Sequence, residues 1–128
     1  MKLTYDKQDK YTILKINEEN LNSVIAPNLK SEFISLQSNG TDNLIMDMSE
    51  VKYVDSSGLS AILTAERIFK DKGTFVMAGK LSDSVKKLIS ISRLDNILNI
   101  VPTIEEAKEF VIMSDLEKEL KSEIDTEE

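Results

Sequence analysis

Two short runs constrain this chain more than any other feature. They are Asn43-Leu44-Ile45-Met46-Asp47-Met48 and Thr74-Phe75-Val76-Met77-Ala78. Each is apolar at consecutive positions, as expected of a strand covered on both faces inside a sheet. Between them Leu59, Ile62, Leu63 and Ile68 or Phe69 recur at helical spacing, ending near Lys72-Gly73. Strands that alternate with helices in this way predict one α/β domain built on a mostly parallel sheet.

The remaining segments fit that frame. Lys2–Asp6 and Tyr11–Ile16 read as two short strands, and the polar stretch Asp6–Lys10 between them suits a hairpin. Ile25, Leu29, Phe33 and Leu36 share one face of a helix over Val24–Ser38. Ser23 or Asn22 is expected to cap its start, Pro27 falls in its first turn, and Gly40 closes it. Asp83 and Ser84 open a third helix, with Val85, Leu88, Ile89 and Ser92 inward, before an extended piece around Leu98–Val101. Thr103 and Glu106 form a capping-box pattern for a last helix. Its apolar residues at 113, 116, 120 and 124 predict a helix that continues past the core, dividing the chain into a body over 1–114 and an acidic helical extension over 115–128.

Charge and composition then remove function classes. The net charge is −7, and residues 115–128 hold seven acids against Lys118 and Lys121, so about five of those charges sit in the extension. A near-neutral body with an acidic tail lacks the basic footprint of nucleic-acid binding. The chain has no Cys and no His, which removes disulfides, thiolate nucleophiles, Cys/His zinc sites and imidazole acid–base chemistry together. No apolar run suits a signal peptide or a membrane span, so a cytoplasmic protein without membrane insertion is expected.

One motif carries chemistry. A buried strand ends at Asp47, a short link follows, and Asp55-Ser56-Ser57-Gly58-Leu59 opens a helix. Taken alone, those residues need be no more than a helix cap. In context the segment Met46–Leu59 resembles the STAS domain, and most closely the bacterial anti-sigma factor antagonists; Ala26-Pro27-Asn28-Leu29 is similar to the Ala-Pro-x-Leu of that family's first helix. The order of elements matches from about residue 3 to 112. The resemblance implies a STAS-like single domain: an N-terminal β-hairpin, alternating helices and strands around a sheet of four to five strands, and a long C-terminal helix. It also implies a partner-switching phosphoprotein in transcription regulation. Unphosphorylated, such a protein binds an anti-sigma factor that is also a serine kinase and so frees the sigma factor. Phosphorylation by that kinase, here at Ser56, turns binding off, and a protein phosphatase restores it.

By the same resemblance the partner-binding residues are Asp55, Ser56, Ser57, Gly58, Leu59 and Asn22. Where the family shows Gly-x-x-Asp before its first helix, this chain has Glu19-Asn20-Leu21-Asn22, so Asn22 keeps the polar cap without the charge. No cofactor, no metal and no enzymatic activity are expected. A hydrolytic Ser56 or Ser57 would need an activating base, and neither begins a Ser-x-x-Lys pair, since Leu59 and Ser60 stand three residues on.

Two other readings use the same residues. Leu44–Met48 is similar to the strand that presents the acceptor Asp of a receiver domain, which would make Asp47 the phosphoacceptor. A receiver also needs an acidic pair after its first strand for Mg²⁺, whereas Asp6 and Asp9 fall in the expected hairpin with no helix after that strand. Alternatively, the STAS fold itself serves as a subunit of a lipid transporter or of a stress-signalling scaffold.

Overall fold

The computed structural model describes residues 2–126; Met1, Glu127 and Glu128, and the side chains of Asp125 and Thr126, lie outside the described residues. Strands β1 (Leu3–Lys7) and β2 (Thr12–Ile16) form the expected antiparallel hairpin, in register from Leu3↔Ile16 to Lys7↔Thr12. β2 then pairs in parallel with β4 (Leu44–Asp47), β4 with β6 (Phe75–Ala78), and β6 with β7 (Asn99–Val101). The order is β1-β2-β4-β6-β7. The two apolar runs thus sit at the middle of the sheet, where a strand has no solvent face.

Side-chain alternation decides what covers each face. Leu44, Met46, Phe75 and Met77 point into a large core shared with Leu29 and Phe33 of α1 (Ala26–Ser38) and Ile62 and Phe69 of α2 (Ser56–Phe69). Val85 and Ile89 of α3 (Asp83–Ile91) join the same core. Phe33 and Phe69 meet edge to face at 6.4 Å. The intervening Ile45, Val76 and Ala78 point the other way, onto Ala107 and Val111 of α4 (Ile104–Thr126). Fully burying each Leu, Ile, Met or Phe contributes about 1.5–3 kcal/mol, so both layers are needed to hold the sheet.

A second, two-stranded parallel sheet joins β3 (Asn20–Leu21) to β5 (Tyr53–Val54) through Asn20↔Tyr53 and Leu21↔Val54. It lies outside the main sheet and ties together the chain entering α1 and the chain entering α2.

Helix ends differ from expectation in three places. α1 begins at Ala26, and neither Ser23 nor Asn22 caps it: Ile25 holds the cap position without a side-chain bond. The Asn22 side chain instead accepts from Val24 N at 3.1 Å, and its carbonyl accepts from Ile25 N and Ala26 N, making a turn that precedes the helix. α3 is capped by Ser82, whose Oγ accepts from Val85 N at 3.2 Å, so Asp83 becomes its first residue. Ser92 is exposed, because Arg93 leaves the helix in the left-handed region at φ 58° and Leu94 takes the inward position. As expected, Gly40 ends α1 at φ +98°, with Gly40 N bonded to Gln37 O and Thr41 N to Leu36 O, and Thr103 Oγ1 accepts from Glu106 N at 3.1 Å.

Asn43 holds the lower end of the sheet. Its Nδ2 donates to the Lys10 carbonyl at 2.8 Å and to the Asp115 carboxylate at 3.1 and 3.2 Å, while its Oδ1 accepts from Thr74 N at 2.8 Å. Helix α4 runs through residue 114 without a break, and the Lys118 Nζ donates to the Gly73 carbonyl.

Candidate functional site at the start of helix α2

The chain approaches α2 in an extended conformation, with Asp55 at φ −94°, ψ −174° as its N-cap. Asp55 Oδ1 accepts from Gly58 N at 2.9 Å, and the Asp55 carbonyl accepts from Leu59 N at 2.9 Å. The Asp55 side chain thus satisfies Gly58 N, one of the four opening amides that have no acceptor within the helix, and Leu59 N makes the first bond of the helix itself. The amides of Ser56 and Ser57 precede them and have no acceptor among the described residues. Their N–H groups and the aligned peptide dipoles leave positive density at the helix start.

The small β3–β5 sheet fixes where this turn sits. Asp55 N donates to the Leu21 carbonyl at 3.2 Å, and the amides of Lys52 and Tyr53 both donate to the Glu19 carbonyl, at 2.8 and 3.0 Å. Following the register Leu21↔Val54, Asn22 and Asp55 come next on their strands, so the turns that open α1 and α2 stand side by side. Gly58 is buried against that crossing: a Cβ there would come 2.2 Å from the Leu21 carbonyl oxygen. On the next turn, Lys30 Nζ of α1 donates to Ser60 Oγ of α2 at 3.1 Å.

The structure therefore brings Asn22 and Asp55–Leu59 to one corner of the molecule. Asp55 and Ser56 are exposed, Asn22, Ser57 and Leu59 are half-buried, and Gly58 is buried. Around them are apolar residues that the sequence pattern does not single out: Val24 is 78% exposed and Tyr53 58%. A depression of about 400 Å³ beside Asn22 is lined by Glu18, Glu19, Asn20, Val24 and Ile25. The corner is thus an apolar and acidic surface on which the Ser56 hydroxyl is exposed at the helix start.

The acids of the receiver reading are not brought together. β2 and β4 start together at Thr12↔Leu44, so Asp6, paired with Ile13, and Asp9 in the hairpin turn lie at the end of the sheet opposite Asp47. Asp47 Oδ1 accepts from Ser49 N at 2.9 Å and shapes the turn that leads to β5. Among the described residues, no group of three or more His, Cys, Asp or Glu side chains is arranged to hold a metal ion, and no helix is long and apolar enough to cross a membrane.

Comparison with known proteins agrees with this architecture. A Thermotoga maritima protein described as an anti-sigma factor antagonist is 30% identical over 72 residues, covering 56% of this chain and 64% of the relative, so the match spans less than two thirds of that protein. The crystal structure of an anti-sigma factor antagonist from Mycobacterium paratuberculosis superposes with a TM-score of 0.76 at 18% identity, covering 86% of this chain and 92% of the other. The Bacillus anti-sigma factor antagonist SpoIIAA, in its unphosphorylated form, gives a TM-score of 0.71 at 17% identity over 86% of this chain and 96% of the other. The STAS domain family model matches residues 2–107, most of the chain, and the protein belongs to the STAS domain family.

Proposed function

We propose that this protein is an anti-sigma factor antagonist of the cytoplasm that works by partner switching, with Ser56 as its phosphorylation site. Unphosphorylated, it binds an anti-sigma factor that is also a serine kinase, and the sigma factor is released. Phosphorylated on Ser56, it lets that partner go until a phosphatase removes the group. The chain itself is a binding switch and catalyses no reaction.

The observation that carries this reading is the exposure of Ser56 at the capped start of α2. Asp55 spends its side chain on Gly58 N, so the hydroxyl of Ser56 is accessible while the backbone that presents it is held. A phosphate at this position adds about −1.5 to −2 charges at pH 7 beside the free amides of the first turn. The helix tolerates that charge, so the fold survives modification. A partner surface that must desolvate the same charge next to Asp55 does not tolerate it. Burial of an uncompensated charge costs several kcal/mol, which is enough to separate a bound from an unbound state. Asn22, Ser57 and Leu59 belong to the same partner face, which buried Gly58 supports from beneath by letting α2 pack on Leu21, and Val24 and Tyr53 add the apolar contact area that such a face requires.

The test is incubation with the cognate anti-sigma kinase and ATP, followed by mapping of the modified residue. One phosphate is expected on Ser56, and none on Ser56→Ala. Phosphate on Ser57 alone, or an acid-labile label on Asp47, overturns the assignment.

A further inference from the structure

Helix α4 is apolar on two opposite faces. The inner face, at Ala107 and Val111, is buried on Ile45, Val76 and Ala78. At 100° per residue, Ile112, Met113, Leu116, Leu120 and Ile124 gather on the side turned away from the sheet. They are 45–61% exposed. A solvent-facing stripe of five large apolar side chains on one helix is unusual for a self-sufficient domain.

The helix beneath that stripe is well anchored. Asp115 is bonded to Asn43, and Lys118 reaches back to the Gly73 carbonyl, so the stripe is presented on a fixed rod. The charges beside it are mostly negative, although Lys10 shares a depression with Ile112, Leu116 and Glu119. Glu119 and Glu123 lie along one edge and Glu117 along the other, and Glu109 precedes it on the same side. Lys118 is turned toward the body, and Lys121 lines a cavity there with Gly73, Phe110 and Glu117, so Glu119 and Glu123 are the carboxylates clear of lysine on that helix.

From the apolar stripe and its carboxylate edges we infer that the outer face of α4, from Ile112 to Ile124, docks a basic amphipathic helix of another protein. Its apolar ridge would cover Leu116 and Leu120, and its lysines or arginines would meet Glu117, Glu119 and Glu123, the helix-in-groove mode with complementary charge. A second copy of this chain suits the stripe less well, because it brings the same carboxylates against it. An anionic membrane surface is repelled for the same reason.

The surface is also remote from the corner around Ser56. α2 starts beyond the end of β4 marked by Asp47, whereas Asp115 and Lys118 sit at the opposite end, by Asn43 and Gly73. A partner held on α4 thus stays bound whatever the state of Ser56, and the two readings can fail independently.

A synthetic leucine–lysine helical peptide with one apolar face is the probe, titrated against the full chain by calorimetry. Saturable binding is expected. It weakens about tenfold, or about 1.4 kcal/mol, in Leu116→Ser/Leu120→Ser and in Glu119→Lys/Glu123→Lys. A scrambled peptide of equal charge binds about tenfold more weakly, and Ser56→Asp changes nothing. Thermal melts of the variants check the fold; should the serine pair fail to fold, the charge-reversed pair carries the test alone. Absence of saturable binding, or binding that neither pair weakens, overturns the proposal. So does a homodimer in sedimentation that Leu116→Ser/Leu120→Ser dissolves, or flotation of the chain with vesicles of anionic lipid.

Discussion

Gly58 lies directly against the carbonyl of Leu21, so close that a Cβ on Gly58 would come 2.2 Å from that oxygen and 2.9 Å from its carbon. This contact lets α2 start under the β3 strand and sets the corner at which Ser56 is exposed. The obstacle is backbone held by the Asp55–Leu21 bond, so it cannot swing aside as a side chain would. Gly58→Ala is therefore expected to destabilise the protein by about 1–3 kcal/mol, the range for overpacking a filled site. Urea unfolding measures it. A change under about 0.5 kcal/mol, the level of an ordinary surface substitution, would contradict the close approach.

Asp55 acts on the same turn through its side chain. Removing the acceptor in Asp55→Ala leaves Gly58 N without a partner and is expected to cost about 1 kcal/mol. Asp55→Asn keeps an oxygen in place and should recover most of that loss in the same urea experiment. An Asn variant as unstable as the Ala variant would show that the charge of Asp55, rather than its hydrogen bond, holds the helix start.

Glu66 gives the fold a pH dependence. Burial pushes its carboxyl above the ordinary value, Lys70 pulls it partly back, and Oε2 is buried with no hydrogen-bond partner among the described residues. A carboxyl raised in the folded state favours folding when protonated. Its penalty is absent below the usual carboxylate range and grows as pH rises through the raised value. Glu66→Gln should thus melt a few degrees above wild type at neutral pH, with the gap closing below about pH 4. Equal melting temperatures across the whole range would refute this.

The central strands were legible in the sequence because burial on both faces leaves consecutive apolar residues, and Leu44–Met46 and Phe75–Ala78 carry that mark. The Asp55–Leu59 string was legible because a cap, a glycine and a helical period fall together. β3 was not: it is two residues long, Leu21 is the one apolar side chain between Ile16 and Val24, and only its pairing with β5 makes it a strand. With β3 hidden, the sequence could not reveal that Asn22 and Asp55 are neighbours or that Val24 and Tyr53 flank them. The end of α3 was missed for a related reason. Arg93 takes a left-handed conformation usually left to Gly or Asn, so no residue type announces the stop. The outward stripe of α4 could be listed from its spacing, but its exposure depends on which face the sheet had already claimed.

The most direct test of the account is a binding titration against the anti-sigma kinase, using wild type, Ser56→Ala, Ser56→Asp and protein phosphorylated on Ser56, with thermal melts of all four. Ser56 is exposed at the helix start, so each protein should melt within a few degrees of the others. Wild type and Ser56→Ala should bind alike, while Ser56→Asp and the phosphorylated form should bind at least about tenfold more weakly, a loss of about 1.4 kcal/mol or more. Equal affinity for the unmodified and phosphorylated proteins would contradict the switch at Ser56.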